Sequence, residues 1–436
     1  MTAAESTPAY WYLQSRRIRP AIAGFAARPF PLPLLCGVQD YAWGERGAAS
    51  YIAKLRGVAP DAGRAYAEMW IGDHPGLPAF AELRGGGGDA GDVAPLAETT
   101  GTRLPFLMKV LAAADCLSIQ VHPNAQQAGQ GYDDEQRRGI PVSDPARNYK
   151  DASHKPELIV ALTPFWSLDG FRPLREIVGA LEHEAPELRP LMPDIGARAA
   201  RAGDDAAARA AVIRELYERA MRLPQERRNE LLTPLVERLA RQNAAAPFAT
   251  DTREHWVLET DRRYTRDGNK DRGVFSLYLL NFVALAPGQA LFLGAGELHS
   301  YLRGVGVEVM ANSDNVIRGG LTPKHVDVEA LLSIVKFNDG AARVIEPDAA
   351  GVYPTPADEF EVARLALPAG QHARRPADRG VDVWLATTGH AEITWAGGGV
   401  VAVAAGVPVL VPAAVAGYDV RAVSDAELFR ASARRG

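Results

Sequence analysis

Alternating polar and apolar residues in the segment 117–123 place three groups suited to metal or substrate binding at fixed spacing. Ser118, Gln120 and His122 alternate with Leu117, Ile119 and Val121. Successive side chains of a strand point to opposite faces, so the three polar groups would share one face and form a pocket wall. The alternative is a half-exposed strand whose polar side lies in water.

A carboxylate follows in the segment His154-Lys155-Pro156-Glu157, directly before the apolar residues 158–160. Glu157 would open a strand, where a carboxylate is costly unless it is paired or bound to a metal. Taken alone, this local pattern favours a Lys155–Glu157 pair at the protein surface.

A second histidine, His299, follows the apolar run 290–293 and a turn that contains Gly294 and Gly296. Small residues let the backbone turn sharply and present a ligand. Two histidines, one carboxylate and one amide oxygen would together form a nitrogen and oxygen site suited to zinc, with manganese, iron or cobalt as alternatives.

The polar, turn-rich segment 308–325 contains Arg318 beside two glycines and Lys324 after a Thr-Pro turn. Arginine offers a forked contact to phosphate and lysine offers a point charge, so this segment is a candidate anion site. The alternative is a solvated loop with ordinary surface charges.

The chain resembles the type I phosphomannose isomerases of the cupin superfamily over most of its length outside the N-terminal tail and a helical insertion. Each of the short matching segments is weak evidence alone, but their occurrence in the family's order is highly specific. The matching blocks are 36–44, 67–75, 105–109, 118–123, 154–157 and the segment that ends at Lys324.

The resemblance implies one Zn²⁺ per chain and a set of site residues that bind and isomerise a small sugar phosphate. The implied zinc ligands are Gln120, His122, Glu157 and His299. The implied catalytic residues are Arg318, Glu308, Lys155 and His154, and the implied substrate-binding residues are Ser118, Tyr301, Lys324, Lys109 and Trp43. Small departures from the family pattern, none at a ligand, are Ser153, Ser300 and Gly319.

The family reaction interconverts mannose 6-phosphate and fructose 6-phosphate by moving a proton between C1 and C2 through an enediol. Glu308 and Lys155 compete for the role of base, with Glu308 slightly preferred, and His154 would assist ring opening. Arg318 would anchor the phosphate or stabilise the enediolate. Two other functions stay open: a cupin-type iron oxygenase, and an inactive sugar-phosphate-binding regulator.

Composition along the chain predicts a mainly β protein with an α insertion, built from two cupin-type jelly-roll barrels. Strand character is expected to return at 274–283, after the helical insertion. The run 288–293 resembles 406–411, which aligns His299 with Gly417 and predicts a second barrel without metal. The expected domains are a poorly ordered tail 1–30, a first barrel part 31–170, a helical insertion 171–258, a second barrel part 259–345 and a C-terminal barrel 346–436.

The bulk composition of the 436 residues limits the partners. A net charge of −5 argues against nucleic-acid binding, which needs a basic face. No apolar run approaches the roughly 20 residues of a membrane span. Two cysteines, Cys36 and Cys116, cannot build a disulfide framework, which fits a reducing cytoplasm. A monomer is also expected. The Ser-Arg-Arg at 15–17 faintly resembles an export signal, but a disordered tail is the better interpretation.

Overall fold

The computed structural model describes residues 18–83 and 92–434. The start of the predicted tail with its export-like motif (1–17) and the glycine tract 85–88 lie outside the described residues. The helices are α1 Ile18–Ala27, α2 Tyr51–Leu55, α3 Leu96–Thr100, α4 Ala125–Arg137, α5 Leu174–Gly179, α6 Ile195–Ala202, α7 Ala206–Arg222, α8 Gln225–Ala245, α9 Arg253–Tyr264, α10 Ser276–Leu279 and α11 Val328–Ile334.

The strands, together with these helices, make a protein of sheets with a helical region between them. They are β1 Leu32–Leu35, β2 Val38–Gln39, β3 Glu45–Arg46, β4 Ala65–Tyr66, β5 Glu68–Ile71, β6 Phe80–Glu82, β7 Val93–Pro95, β8 Phe106–Ala113, β9 Ile119–Val121, β10 Glu157–Ala161, β11 Phe165–Phe171, β12 Leu280–Leu285, β13 Ala290–Leu293, β14 His299–Ala311, β15 Ile317–Gly320, β16 Val352–Tyr353, β17 Glu361–Leu367, β18 His372–Arg375, β19 Asp382–Thr388, β20 His390–Trp395, β21 Val400–Ala404, β22 Val409–Val411, β23 Tyr418–Ala422 and β24 Ala426–Ser432.

Strand β14 is the centre of a ten-stranded sheet that carries the site. Its 13 residues pair in antiparallel fashion with β8, β9, β10 and β11. Val305, Val307 and Val309 are buried in one apolar core, and Glu308 between them faces a cavity. Because strand side chains alternate between faces, this apolar spacing fixes where Glu308 points.

A second, eight-stranded sheet contains strands from both ends of the chain. Its order is β16-β17-β24-β19-β22-β1-β6-β7. Leu32 of β1 pairs with Leu410 of β22, and Leu34 pairs with Ala81 of β6. This sheet therefore crosses the predicted boundary at residue 346. The remaining named strands form a four-stranded sheet, β18-β23-β20-β21, and the two-stranded pair β3-β4.

The helical region packs its apolar stripes into one core with β9, β11 and β15. Asp205 caps α7 by accepting from the backbone N–H groups of Ala207 and Ala208, at 2.9 and 3.1 Å. Leu231, Leu235 and Leu239 form a buried apolar stripe on α8. None of the described helices is long and apolar enough to cross a lipid bilayer.

Helical structure continues further than the predicted limit at residue 258. A 3-10 turn at Arg272–Phe275 and helix α10 occupy residues that were expected to begin a strand, and the strand β12 starts only at Leu280. The described residues 274–280 are all buried. A mostly apolar run that is buried on every side carries no hydrophobic period that separates a helix from a strand.

Residues 18–27 form helix α1, which differs from the prediction of a poorly ordered tail through residue 30. Ile18, Ala21 and Phe25 lie on one face and are buried. Phe25 also packs edge-on against Phe30, with 5.4 Å between ring centroids. The helix is thus amphipathic and packs against the protein through its apolar face.

The two runs that resemble each other, 288–293 and 406–411, occupy corresponding turn-and-strand positions. Gly288 and Gly406 both have positive φ angles, 92° and 74°. Each leads into a short strand, β13 or β22. Among the described residues, the one converging group of three histidine, cysteine or acidic side chains lies in the ten-stranded sheet.

Candidate metal centre and active site

Three predicted ligands converge at the centre of the ten-stranded sheet. Nε2 of His122 and Nε2 of His299 each lie 3.4 Å from the same carboxylate atom, Oε2 of Glu157. His122 follows β9 directly, Glu157 begins β10 and His299 begins β14. All three side chains are buried. The surface pair that the local pattern of Glu157 favoured is therefore wrong, because the strand start lies inside the molecule.

The ligand atoms themselves have no hydrogen-bond partner: His122 Nε2, His299 Nε2 and Glu157 Oε2. The other ring nitrogens do: Nδ1 of His122 donates to the carbonyl of Asn315 at 2.7 Å, and Nδ1 of His299 to that of Glu297 at 2.9 Å. With Nδ1 protonated, each Nε2 presents a lone pair toward Glu157. Buried polar atoms without partners are rare, so this set fits a cation held by nitrogen and oxygen ligands.

The charge states of the centre suit metal binding. Burial lowers the pKa of His122 to about 4, so its imidazole is neutral. Burial opposes the charge of Glu157, but the neighbouring Lys155 holds the pKa of this carboxyl well below its usual range. Lys155 Nζ lies 3.1 Å from Oε1 of Glu157, which leaves Oε2 for a metal.

Gln120 lies beside this centre on the strand that the alternation predicted. Ile119 and Val121 are buried in the core of the helical region, whereas Gln120 lines the cavity. The backbone of Gln120 pairs with His299 on one side and with Arg318 on the other. The predicted common face is thus confirmed for Gln120 and Ser118, which lines the same cavity.

A cavity of about 750 Å³ opens from the metal centre to the surface. It contains every predicted catalytic and substrate-binding side chain except His154. The predicted residues that line it are Trp43, Lys109, Ser118, Gln120, Lys155, Glu157, Tyr301, Glu308, Arg318 and Lys324.

Glu308 lies in a buried network on the cavity wall. Its Oε1 accepts from the hydroxyl of Tyr301 at 2.8 Å, and its Oε2 accepts from Nζ of Lys109 at 2.9 Å. Burial raises the pKa of Glu308, an effect that Lys109 opposes. Burial and the charge of Glu308 raise the pKa of Tyr301, so its phenol stays protonated and donates.

The network also contains two residues that were not predicted as site residues. Glu68 Oε2 lies 3.7 Å from Lys109 Nζ and accepts from the indole of Trp70 at 2.7 Å. Lys109 Nζ lies 5.4 Å from the centre of the Trp70 ring. The sequence contains a signal that could have identified both residues. Glu68 lies two residues before Trp70 in a short apolar segment, so the two side chains share one face of a strand.

Arg318 and Lys324 form a positively charged part of the cavity. Within the described ranges neither side chain forms an ion pair with a carboxylate. Burial lowers the pKa of Arg318. Burial, Arg318 and Lys150 lower the pKa of Lys324. Neighbouring cations without counter-charges repel each other, so a bound anion would stabilise them.

His154, which was predicted to assist ring opening, contacts the carboxylate of Glu359 through Nε2 and does not line the cavity. Lys155 lines it instead, because adjacent side chains of an extended segment point to opposite sides. The prediction for His154 is therefore not supported by its position.

Comparisons with known proteins agree with this arrangement. Residues 32–174 match the family model described as phosphomannose isomerase type I, catalytic domain. The mannose-6-phosphate isomerase of Shigella flexneri is 37% identical over 344 residues, which cover 75% of this chain and 81% of that protein. The human mannose-6-phosphate isomerase is 33% identical over 374 residues, which cover 78% of this chain and 83% of that protein.

A crystal structure of mannose 6-phosphate isomerase from Salmonella typhimurium, bound to substrate (f6p) and a zinc atom, is similar in fold. The TM-score is 0.77 at 30% identity, with 93% of this chain and 100% of that chain covered. Because these relatives are at least 30% identical over most of both chains, the matching blocks extend well beyond the metal centre. This chain belongs to the type I phosphomannose isomerase family, the mannose-6-phosphate isomerases.

Proposed function

We propose that the chain is a zinc-dependent aldose–ketose isomerase that interconverts mannose 6-phosphate and fructose 6-phosphate. One observation carries the proposal. Glu157, whose Oε2 lies 3.4 Å from the unpartnered Nε2 atoms of His122 and His299, lines the same cavity as the cations Arg318 and Lys324. A metal centre and an anion site in one cavity suit a substrate with hydroxyl oxygens at one end and phosphate at the other.

His122, Glu157 and His299, with the amide oxygen of Gln120, would hold one Zn²⁺ per chain. When bound, zinc supplies Lewis-acid polarisation of the sugar oxygens at C1 and C2. Lys155 positions the ligand carboxylate through its contact with Glu157 Oε1. The Nδ1 contacts of both histidines fix their rings, which keeps the ligand set preorganised.

Glu308 would move the proton between C1 and C2. Burial raises its pKa, and a carboxyl with a raised pKa is a stronger base when it is ionised. Lys109 and Tyr301 fix both of its oxygens by hydrogen bonds. The Lys155 ammonium already donates to Glu157, so Lys155 is the second candidate.

The test of the proposal is isomerase activity on mannose 6-phosphate before and after chelation. We expect chelated protein to lose nearly all activity, since Lewis-acid stabilisation contributes several kcal/mol, and zinc to restore it. Oxygen uptake on adding iron, with no isomerisation, would favour the oxygenase alternative. Full activity after complete removal of metal would contradict the proposal.

Replacement of the cations should weaken the binding of the phosphate. We expect Arg318→Gln and Lys324→Met each to raise KM for mannose 6-phosphate by about 10- to 100-fold, because charge-assisted hydrogen bonds contribute roughly 1.5–3 kcal/mol. Lys336→Met removes an exposed lysine outside this cavity and is the matched control. An unchanged KM in both cavity variants would exclude an anchoring role.

We propose that the two large sheets are jelly-roll barrels of the cupin type, which the antiparallel pairing of all named strands supports. We also propose a monomer in the cytoplasm. The free thiols of Cys36 and Cys116 support a reducing compartment.

A further inference from the structure

The helical region contributes one wall of the cavity through the end of α9 and the turn that follows it. Arg262, Arg263, Tyr264 and Arg266 all line the cavity. Arg262 pairs with Glu259 at 2.9 Å, and Arg263 pairs with Asp115. Arg266 is exposed, and its guanidinium has no hydrogen bond or ion pair with any residue in the described part of the chain.

Arg266 is the first residue of a tight turn. Its backbone exchanges hydrogen bonds with Asn269, at 3.2 and 2.8 Å. Asp267 and Gly268 between them have φ angles of 50° and 76°. Two consecutive positive φ angles define a type I′ turn, a compact connection with little freedom.

Two contacts hold this turn to the helices. The backbone N–H of Lys270 donates to Oδ1 of Asn229 on α8 at 2.9 Å. Lys270 Nζ pairs with Asp261 on α9 at 2.8 Å, and both side chains are largely buried. The backbone of Arg266 is therefore fixed relative to the cavity even though its side chain is free.

The chain after the turn joins the loop that carries Lys324. Oδ1 of Asp271 accepts from the backbone N–H of Leu321 at 2.7 Å. A Cβ added at Gly273 would lie 2.6 Å from the Leu321 nitrogen, so the two segments are in close backbone contact. The wall with Arg266 and the loop that leads to Lys324 are thus directly connected.

We propose that Arg266 is an additional substrate-binding residue that contacts the phosphate of the hexose 6-phosphate from the helical side of the cavity. Arg318 and Lys324 bind the phosphate from the sheet side. An arginine can offer a forked pair of N–H donors to phosphate oxygens. Because the guanidinium of Arg266 pairs with no carboxylate in the described part of the chain, no ion pair has to break when the substrate binds. This inference rests on the proposed function, and it gives the helical insertion a direct part in substrate recognition.

Steady-state kinetics of Arg266→Ala and Arg266→Lys test the proposal, with Arg262→Ala as the matched control from the same wall. We expect Arg266→Ala to raise KM for mannose 6-phosphate about tenfold while kcat changes less than twofold, because an exposed charge-assisted contact contributes modestly. The inhibition constant of inorganic phosphate should rise by a similar factor. Arg266→Lys should recover part of both effects, and Arg262→Ala should show neither.

The inference would be overturned if KM and the phosphate inhibition constant of Arg266→Ala both stayed within twofold of wild type. It would also be overturned if Arg262→Ala had the same effects, since the loss would then reflect general charge at the rim. Should the wild type show no isomerase activity, the proposed function fails separately. Calorimetric binding of inorganic phosphate to the zinc-loaded protein then decides: weaker binding by Arg266→Ala supports the contact, and equal binding contradicts it.

Discussion

The variant His299→Ala is expected to lose both its zinc and its isomerase activity. The side chain is fully buried, and its Nε2 faces Glu157 Oε2 at 3.4 Å. Removal of this ligand leaves fewer bonds to the ion. Zinc affinity should fall by more than about 100-fold, because loss of a residue that only hydrogen-bonds to a metal ligand already costs about 10- to 100-fold. Metal content after gel filtration and kcat at equal protein concentration measure the two effects.

A matched control is His154→Ala. His154 lies three residues from Glu157 along the chain, but it contacts Glu359 and does not line the cavity. It should keep one zinc per chain, and circular dichroism should show both variants folded. A zinc content of one per chain in His299→Ala would mean that the ligand assignment is wrong.

Local patterns predicted the strands of the site. In these strands apolar residues either alternate with polar ones or form a run that lies next to a candidate ligand. Ile119 and Val121 point into the core, which left Gln120 facing the cavity. Glu157 could not be assigned by the same logic, because one carboxylate before an apolar run reads equally as a surface pair. Only the convergence of three strands shows that it is buried with two histidines.

Helix α1 was missed for a different physical reason. Pro20 is the third residue of the described helix. Proline is tolerated in the first turn of a helix, where its missing N–H would have no partner. The spacing of Ile18, Ala21 and Phe25 was the available signal for a helix with one buried face.

Arg266 and Glu68 belong to the cavity through long-range contacts that no local pattern encodes. The register of β5 against β8 brings the pair Glu68 and Trp70 beside Lys109. The segment after the turn at Arg266 is joined to the wall of the cavity by Asp271, which accepts from the backbone N–H of Leu321, fifty residues later in the chain. Register and loop docking depend on the whole fold, whereas alternation depends on neighbours alone.

Glu308→Gln is expected to keep zinc and substrate binding but to stop exchange of the C2 proton with solvent. The amide has the shape of the carboxyl group, and it can turn its NH₂ group toward the oxygen of Tyr301 while its carbonyl accepts from Lys109, so the wall should persist. Loss of a general base costs about 10²- to 10⁴-fold in rate. Loss of deuterium from C2-labelled mannose 6-phosphate, followed by NMR, measures the exchange.

Glu68→Gln is the matched control, because Glu68 faces the same lysine at 3.7 Å but its oxygen is already bound to the indole of Trp70. We expect this variant to retain C2 exchange, since Glu308 keeps its carboxylate and its contact with Lys109. Normal exchange in Glu308→Gln would transfer the role of base to Lys155. In that case Lys155→Met should abolish exchange while Glu157 and the two histidines still bind zinc. The contact of Lys155 with Glu157 Oε1 would then have to open during turnover.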